Sequence, residues 1–249
     1  YILGISSGAS LGAPSAILLG IGASLGPNFV GISAFIGAFV LSLAVLFISN
    51  LGGRSNSMKL LLAGMALSAV CSAFSSFIVY FANNKEGMQS IAYWLMGSLA
   101  GAKWNELAVI APVIIVSVLF FWTQSRVLNL MLLGDETAIT MGTDLHLYRQ
   151  WYLLISSLIV GFAVYAAGMI GFVGLIIPHV MRMFLGPDHK KLIPASALVG
   201  AIFLVICDGL CRIIIPHTEL PIGILISMIG APCFIYLMIK RTYGFGGND

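Results

Sequence analysis

Residues 171–200 of this 249-residue chain read GFVGLIIPHVMRMFLGPDHKKLIPASALVG, and no other stretch limits the fold as strongly. An apolar run is interrupted at Pro178-His179 and ends at Gly186-Pro187. A charged turn, Asp188-His189-Lys190-Lys191, follows, and a second apolar run begins at once. A soluble core rarely brackets so brief a charged turn with two apolar runs. A bilayer demands that arrangement wherever the chain emerges on one side and turns back.

The whole composition points the same way. Hydrophobic residues make up 59% of the chain and charged residues 8%, with a mean hydropathy of +1.04. Soluble domains carry roughly 25% charged residues. A net charge of +3, with no basic run longer than Lys190-Lys191 or Lys240-Arg241, leaves no footprint for nucleic acid.

Crossing the hydrocarbon core takes about 20 apolar residues as a helix. Eight segments are candidates: 3–25, 29–49, 59–81, 105–123, 150–169, 172–185, 192–215 and 220–240, the sixth being short. The fold class expected is an all-α polytopic membrane protein, one transmembrane domain over residues 1–249. Lys and Arg collect on the cytoplasmic side of such proteins. Placing both ends inside puts Arg54, Lys59, Arg126, Arg149, Arg182, Lys190, Lys191, Lys240 and Arg241 there, and leaves Lys85, Lys103 and Arg212 outside. That bias also favours an even number of spans.

Two connections exceed simple turns. Residues 82–104 lie outside, where Tyr93, Trp94 and Trp104 suit an interfacial helix. Residues 124–149 lie inside and read as two short helices around Gly134 and Gly142. Asp135 and Glu136 stand at a helix start, where the dipole favours negative charge. Small residues fill the spans, Gly4, Gly8, Gly12, Gly20 and Gly22 among them, and let helices approach closely in lipid.

No phosphate-binding G-x-x-x-x-G-K-[ST], H-E-x-x-H or G-x-S-x-G is present. The histidines His146, His179, His189 and His217 are scattered, and Cys71, Cys207, Cys211 and Cys233 read as small buried apolar side chains rather than a metal site. His179 reads as a packed residue, and Arg182 as one that snorkels to water. His217 and Tyr165, near outer span ends, read as interfacial packing. Asp208 and Arg212, four apart near the outer end of the seventh span, allow an intrahelical pair, with Glu219 beyond the break at Pro216. Charges so placed in spans are functional hypotheses, and neutralisation and partner docking both stay open on pattern alone.

GFVGLIIPHVMRMFLGPDHKKLIPASALVGA followed by ELPIGILISMIGAPCFIYLM resembles the C-terminal signature of permease subunits of ABC importers for iron–siderophore, haem and cobalamin, the FecCD family with its vitamin B12 permease-like members. ILGISSGASLGA at 2–13, LLLAGMALSAVCSAF at 60–74, YWLMGSLAG at 93–101 and LLGDETAITMG at 132–142 are similar to further family stretches in the same order. Family permeases have a ten-helix type II importer fold. The resemblance places Tyr1 where the third span would begin, so the first two helices are expected to be lacking from this sequence.

The resemblance implies that Leu133, Gly134, Asp135, Glu136, Thr137 and Gly142 couple to an ATPase subunit, that Arg212 docks an acidic group of a solute-binding protein, and that Ser57 and Met58 stand at a cytoplasmic gate. Asp188, His189 and Lys190 match a family turn without a definite role. The implied partners are a second permease copy or a close paralogue, two ATP-binding cassette ATPase subunits, an extracellular or periplasmic solute-binding protein and membrane lipid. ATP and Mg would sit on the ATPase, with no cofactor on this chain, no metal site and no catalytic residue. The expected setting is a bacterial or archaeal cell membrane. A self-contained secondary transporter or channel, which would favour inverted repeats and midplane charges, and an inactive permease fragment are the competing readings.

Overall fold

The computed structural model describes residues 4–22, 24, 28–51, 57–82, 84–214 and 219–240. Among these, the chain is built from α-helices joined by short turns: α1 Ile5–Leu19, α2 Phe29–Asn50, α3 Ser57–Ala82, α4 Lys85–Met96, α5 Trp104–Thr123, α6 Ser125–Met131, α7 Asp135–Thr140, α8 Leu145–Ala167, α9 Val173–Leu185, α10 His189–Ile214 and α11 Ile222–Lys240. Helices α2, α3, α5, α8 and α10 are long and apolar enough to cross a membrane, and α1, α9 and α11 are apolar but shorter.

The first helix is shorter than the expected 3–25. Gly20 adopts φ 67°, and its N–H closes the last turn on the Ala16 carbonyl at 3.0 Å. A residue without Cβ enters the left-handed region at little cost, so Gly20 ends α1 there. The 13-residue α9 rises only about 20 Å at 1.5 Å per residue, matching the expectation of a short sixth span. It runs through Pro178 without a break and is preceded by Phe172, its N-cap, which holds φ 63°.

Helix α1 packs on α2 and α3, and α2 packs on α8. The α1–α2 crossing is backbone on backbone: a Cβ on Gly8 would lie 2.3 Å from the Gly37 carbonyl oxygen. Among apolar lipid tails, such dispersion contact rather than water exclusion drives helix association. Ile5, Ala9, Ala13, Ala34, Ala38, Val45 and Leu153 form the core of this half. A second core joins Cys207 and Cys211 of α10 to Ile222 and Ile226 of α11. The cysteines are free thiols in apolar surroundings, as expected.

Polar contacts fix which turns share an end of the bundle. At one end the Gln150 amide donates to Asn50 (3.3 Å), and Trp122 Nε1 donates to the Lys190 carbonyl (2.9 Å). At the other, Asn28 donates to Glu106 (2.6 Å) and Tyr165 (3.0 Å), and Ser98 N–H donates to the Ala167 carbonyl (2.9 Å). This sorting matches the alternation read from the span pattern. Helix α4 fills the expected interfacial stretch, its start capped by the Asn84 side chain on Gly87 N–H. Trp94 is partly buried against the core of the first half, whereas Tyr93 and Trp104 are exposed.

Candidate functional site

The segment read as the coupling region forms a helical knob at the end shared by residues 50, 124–149 and 186–190. Helix α7 starts at Asp135, and Gly134 precedes it at φ 88°. The backbone turns again at Gly142, φ 80°, and Asp144 caps α8 by accepting from His146 N–H at 3.0 Å. Two short helices around Gly134 and Gly142 are thus present, and the acids stand in the first turn of the second.

The knob presents apolar side chains to the outside. Leu132, Leu133, Ile139, Met141 and Leu147 are all exposed, as is Thr137, while Ala138 is fully buried against the bundle. Asp135 is half-buried and ion-paired with Arg149, whose side chain is only 11% exposed. A pair with one partner at 40% exposure is worth well under the roughly 3–5 kcal/mol lost on breaking a fully buried one. Sequence reading placed Arg149 only as one of the inner basic residues; fourteen residues separate the partners, and no helical spacing reveals such a pair. The side chain of Glu136 lies outside the described residues.

A second contact clasps the knob to the C-terminal half. Asn129 on α6 donates to Asp188 Oδ1 (2.9 Å) and accepts from His189 N–H (2.9 Å), while Lys190 N–H also donates to Asp188 Oδ1 (3.0 Å). Asn129 therefore joins Asp188 in capping α10, satisfying N–H groups that a helix start leaves open. The Asn129 bond, followed by that from Lys190 N–H, holds the Asp188 carboxyl below the usual carboxylate range. The turn that carried no definite role in sequence is a structural lock.

Arg212 lies at the opposite end. Its Nε donates to Asp208 Oδ2 at 2.9 Å, and Nη1 approaches Glu219 Oε1 at 3.7 Å. The intrahelical pair allowed by the i,i+4 spacing forms, yet the Arg212 side chain stays 48% exposed. Its neighbours Pro216 and His217 lie outside the described residues.

Met58, in the first turn of α3, is exposed, and the side chain of Ser57 beside it lies outside the described residues. His179 packs edge-on against Phe234, centroids 6.3 Å apart. Arg182, in the last turn of α9, is partly buried, with its Nε enclosed and without a hydrogen-bond partner. Ser196 Oγ is likewise unpartnered, and both residues line one cleft of about 320 Å³ between α5, α6, α9 and α10. Among the described residues, no group of three or more His, Cys, Asp or Glu could hold a metal ion.

The all-helical bundle thus carries a two-helix knob at one end and an exposed, acid-flanked arginine at the other. Residues 1–240 match the FecCD transport family, and the chain belongs to it. It is 39% identical over 244 residues to a cobalamin import system permease protein of Halobacterium salinarum, covering 96% of this chain and 63% of that protein. It is 37% identical over 243 residues to a hemin transport system permease protein of Yersinia pestis, covering 96% and 72%. The chain thus spans under two thirds of the archaeal relative. A solved structure described as an inward-facing metal-chelate type ABC transporter superposes with a TM-score of 0.86 at 33% identity, covering 97% of this chain and 75% of that one.

Proposed function

We propose that this chain is the membrane permease subunit of an ATP-binding cassette importer. Its cargo class is an iron chelate (a siderophore or haem) or cobalamin, moved inward by alternating access. The knob end faces the cytoplasm, in line with the inner bias of Lys and Arg, and the Arg212 end faces the binding protein. The observation that carries this reading is the knob itself: Leu133, Ile139 and Met141 are exposed near Asp135 at one end of the bundle. Apolar side chains in that position fit a groove on a partner.

The permease performs no chemistry. ATP and Mg act on two separate ATPase subunits, and the chain's task is to bind its partners differently in two states, which any coupled change requires. A second permease copy would complete the pathway. The exposed apolar residues along α3 and α11, such as Leu62, Phe74, Phe77, Met228 and Tyr236, offer a surface for that copy or for lipid. Among the described residues, Glu106, Asp144 and Asp188 stand at helix starts and Asp208 near the end of α10, so no run of acids crosses the membrane, which counts against an ion-driven transporter.

The test is reconstitution of the full gene product with its neighbouring ATPase and binding protein in liposomes. Haemin, ferric siderophores and cyanocobalamin are then offered in turn. Uptake that requires enclosed ATP and names one cargo supports the proposal. Uptake driven by an ion gradient without ATP would establish the secondary-transporter reading instead.

A further inference from the structure

Helix α7 is held to the bundle by little. It has six residues, it packs on α6 and α8, and a Cβ added at Gly134 or Gly142 would meet nothing within 4 Å. Its attachments are the buried Ala138, a bond from Thr143 N–H to the Ala138 carbonyl (2.9 Å), and the Asp135–Arg149 ion pair. Among the described residues, the ion pair is the side-chain contact that joins α7 to the body of a long membrane helix. Arg149 lies in the second turn of α8, and the next residue, Gln150, donates to Asn50, the last residue of α2. Helix α2 in turn crosses α1 with backbone touching backbone at Gly8 and Gly37.

We propose that Arg149 is the positioning residue that carries displacement of α7 into α8, and that the Gln150–Asn50 bond passes it on to α2. This rests on the reading of α6–α7 as the ATPase contact. The chemistry suits the task. A nearly buried guanidinium has no other described acid within ion-pair distance, so it follows Asp135 when α7 moves. Helix α6 is clasped to the start of α10 by Asn129. A push on the knob therefore acts on the α2–α8 half through Arg149 and on the α9–α11 half through Asn129, which lets one small element tilt the two halves against each other.

The test compares Arg149→Ala, Arg149→Lys and Gln150→Ala in the reconstituted full assembly. The probe is whichever of haemin, ferrichrome or cyanocobalamin the wild-type assembly accumulates. The readouts are ATPase association, ATP hydrolysis rate and cargo imported per ATP hydrolysed. R149A is expected to keep association and hydrolysis while cargo per ATP falls about tenfold, within the range of coupling changes made by residues away from both ligands. R149K keeps the charge and stays within about twofold of wild type, and Q150A falls about threefold. A wild-type ratio in R149A overturns the proposal, as does an R149K as deficient as R149A, which would mark a packing role. If R149A fails to accumulate in membranes, Q150A decides: an unchanged ratio overturns the relay and a reduced one supports it. Failure of the wild-type chain to associate with the ATPase is a separate result, and it removes the reading of α6–α7 and this relay together.

Discussion

At the knob end, polar side chains tie together elements far apart in the chain: Asn129 to Asp188, Trp122 to Lys190, Arg149 to Asp135 and Gln150 to Asn50. At the opposite end, Asn28 ties α2 to Glu106 and Tyr165, but Arg212 pairs with Asp208 of its own helix and, at longer range, with Glu219 beyond it, and remains half exposed. The first arrangement suits the proposed relay, in which displacing one member displaces a neighbouring helix. The second presents a charge without committing it. That difference fits the proposal of a driven, cytoplasmic knob end and a visited, outward Arg212 end.

The sharpest way to break this comparison is to reverse the knob's charge. Asp135→Lys with Glu136→Lys removes the Arg149 partner and sets like charges together, so coupled uptake should fall by about a hundredfold or more while the bundle still reaches the membrane. Uptake at the wild-type rate in liposomes would count against the knob as the driven element. Reversing the outer charge should be milder and fall elsewhere. Arg212→Glu is expected to weaken binding-protein affinity about tenfold, chiefly through slower association, and to leave ATPase association unchanged. Unaltered docking in a titration would take that role from Arg212.

Smaller effects sharpen the inner half of the comparison. Asn129→Ala removes the clasp on α10, and the thermal midpoint in detergent should fall by a few degrees, with a larger loss in cargo moved per ATP than in hydrolysis. A midpoint identical to wild type would show the clasp to be slack. The smallest effect is acid sensitivity. The Asp188 carboxyl sits below its ordinary value of 3.8 in the folded protein, so its contribution is complete above that value and is lost only as pH falls through the lower folded one. Stability should be indifferent to Asp188 between pH 5 and 8, and Asp188→Asn should flatten the decline below pH 4, measured as midpoint against pH.

What was legible in the sequence follows from the range of the forces involved. Apolar runs and the basic bias are local, so the spans, the short α9 and the two-helix knob could be read directly. The Asp208–Arg212 pair was legible because i,i+4 spacing puts both side chains on one face. The early end of α1 had a local signal too, in Gly20 and Gly22, which composition alone read as packing residues. The Asn129–Asp188 clasp joins residues 59 apart and left no periodic trace. Arg182 shows the same limit: nearness to a span end gave no sign that its Nε would be enclosed.

The most direct measurement is photo-crosslinking from a single position at each end of the full assembly. A reactive residue at Thr137, exposed on α7, should capture the ATPase subunit, with a yield that changes when ATP binds. One at Ile213, 79% exposed beside Arg212, should capture the binding protein and never the ATPase. Capture of the ATPase from Ile213, or none from Thr137 in an assembly that transports, would contradict the division between a driven inner end and a visited outer one.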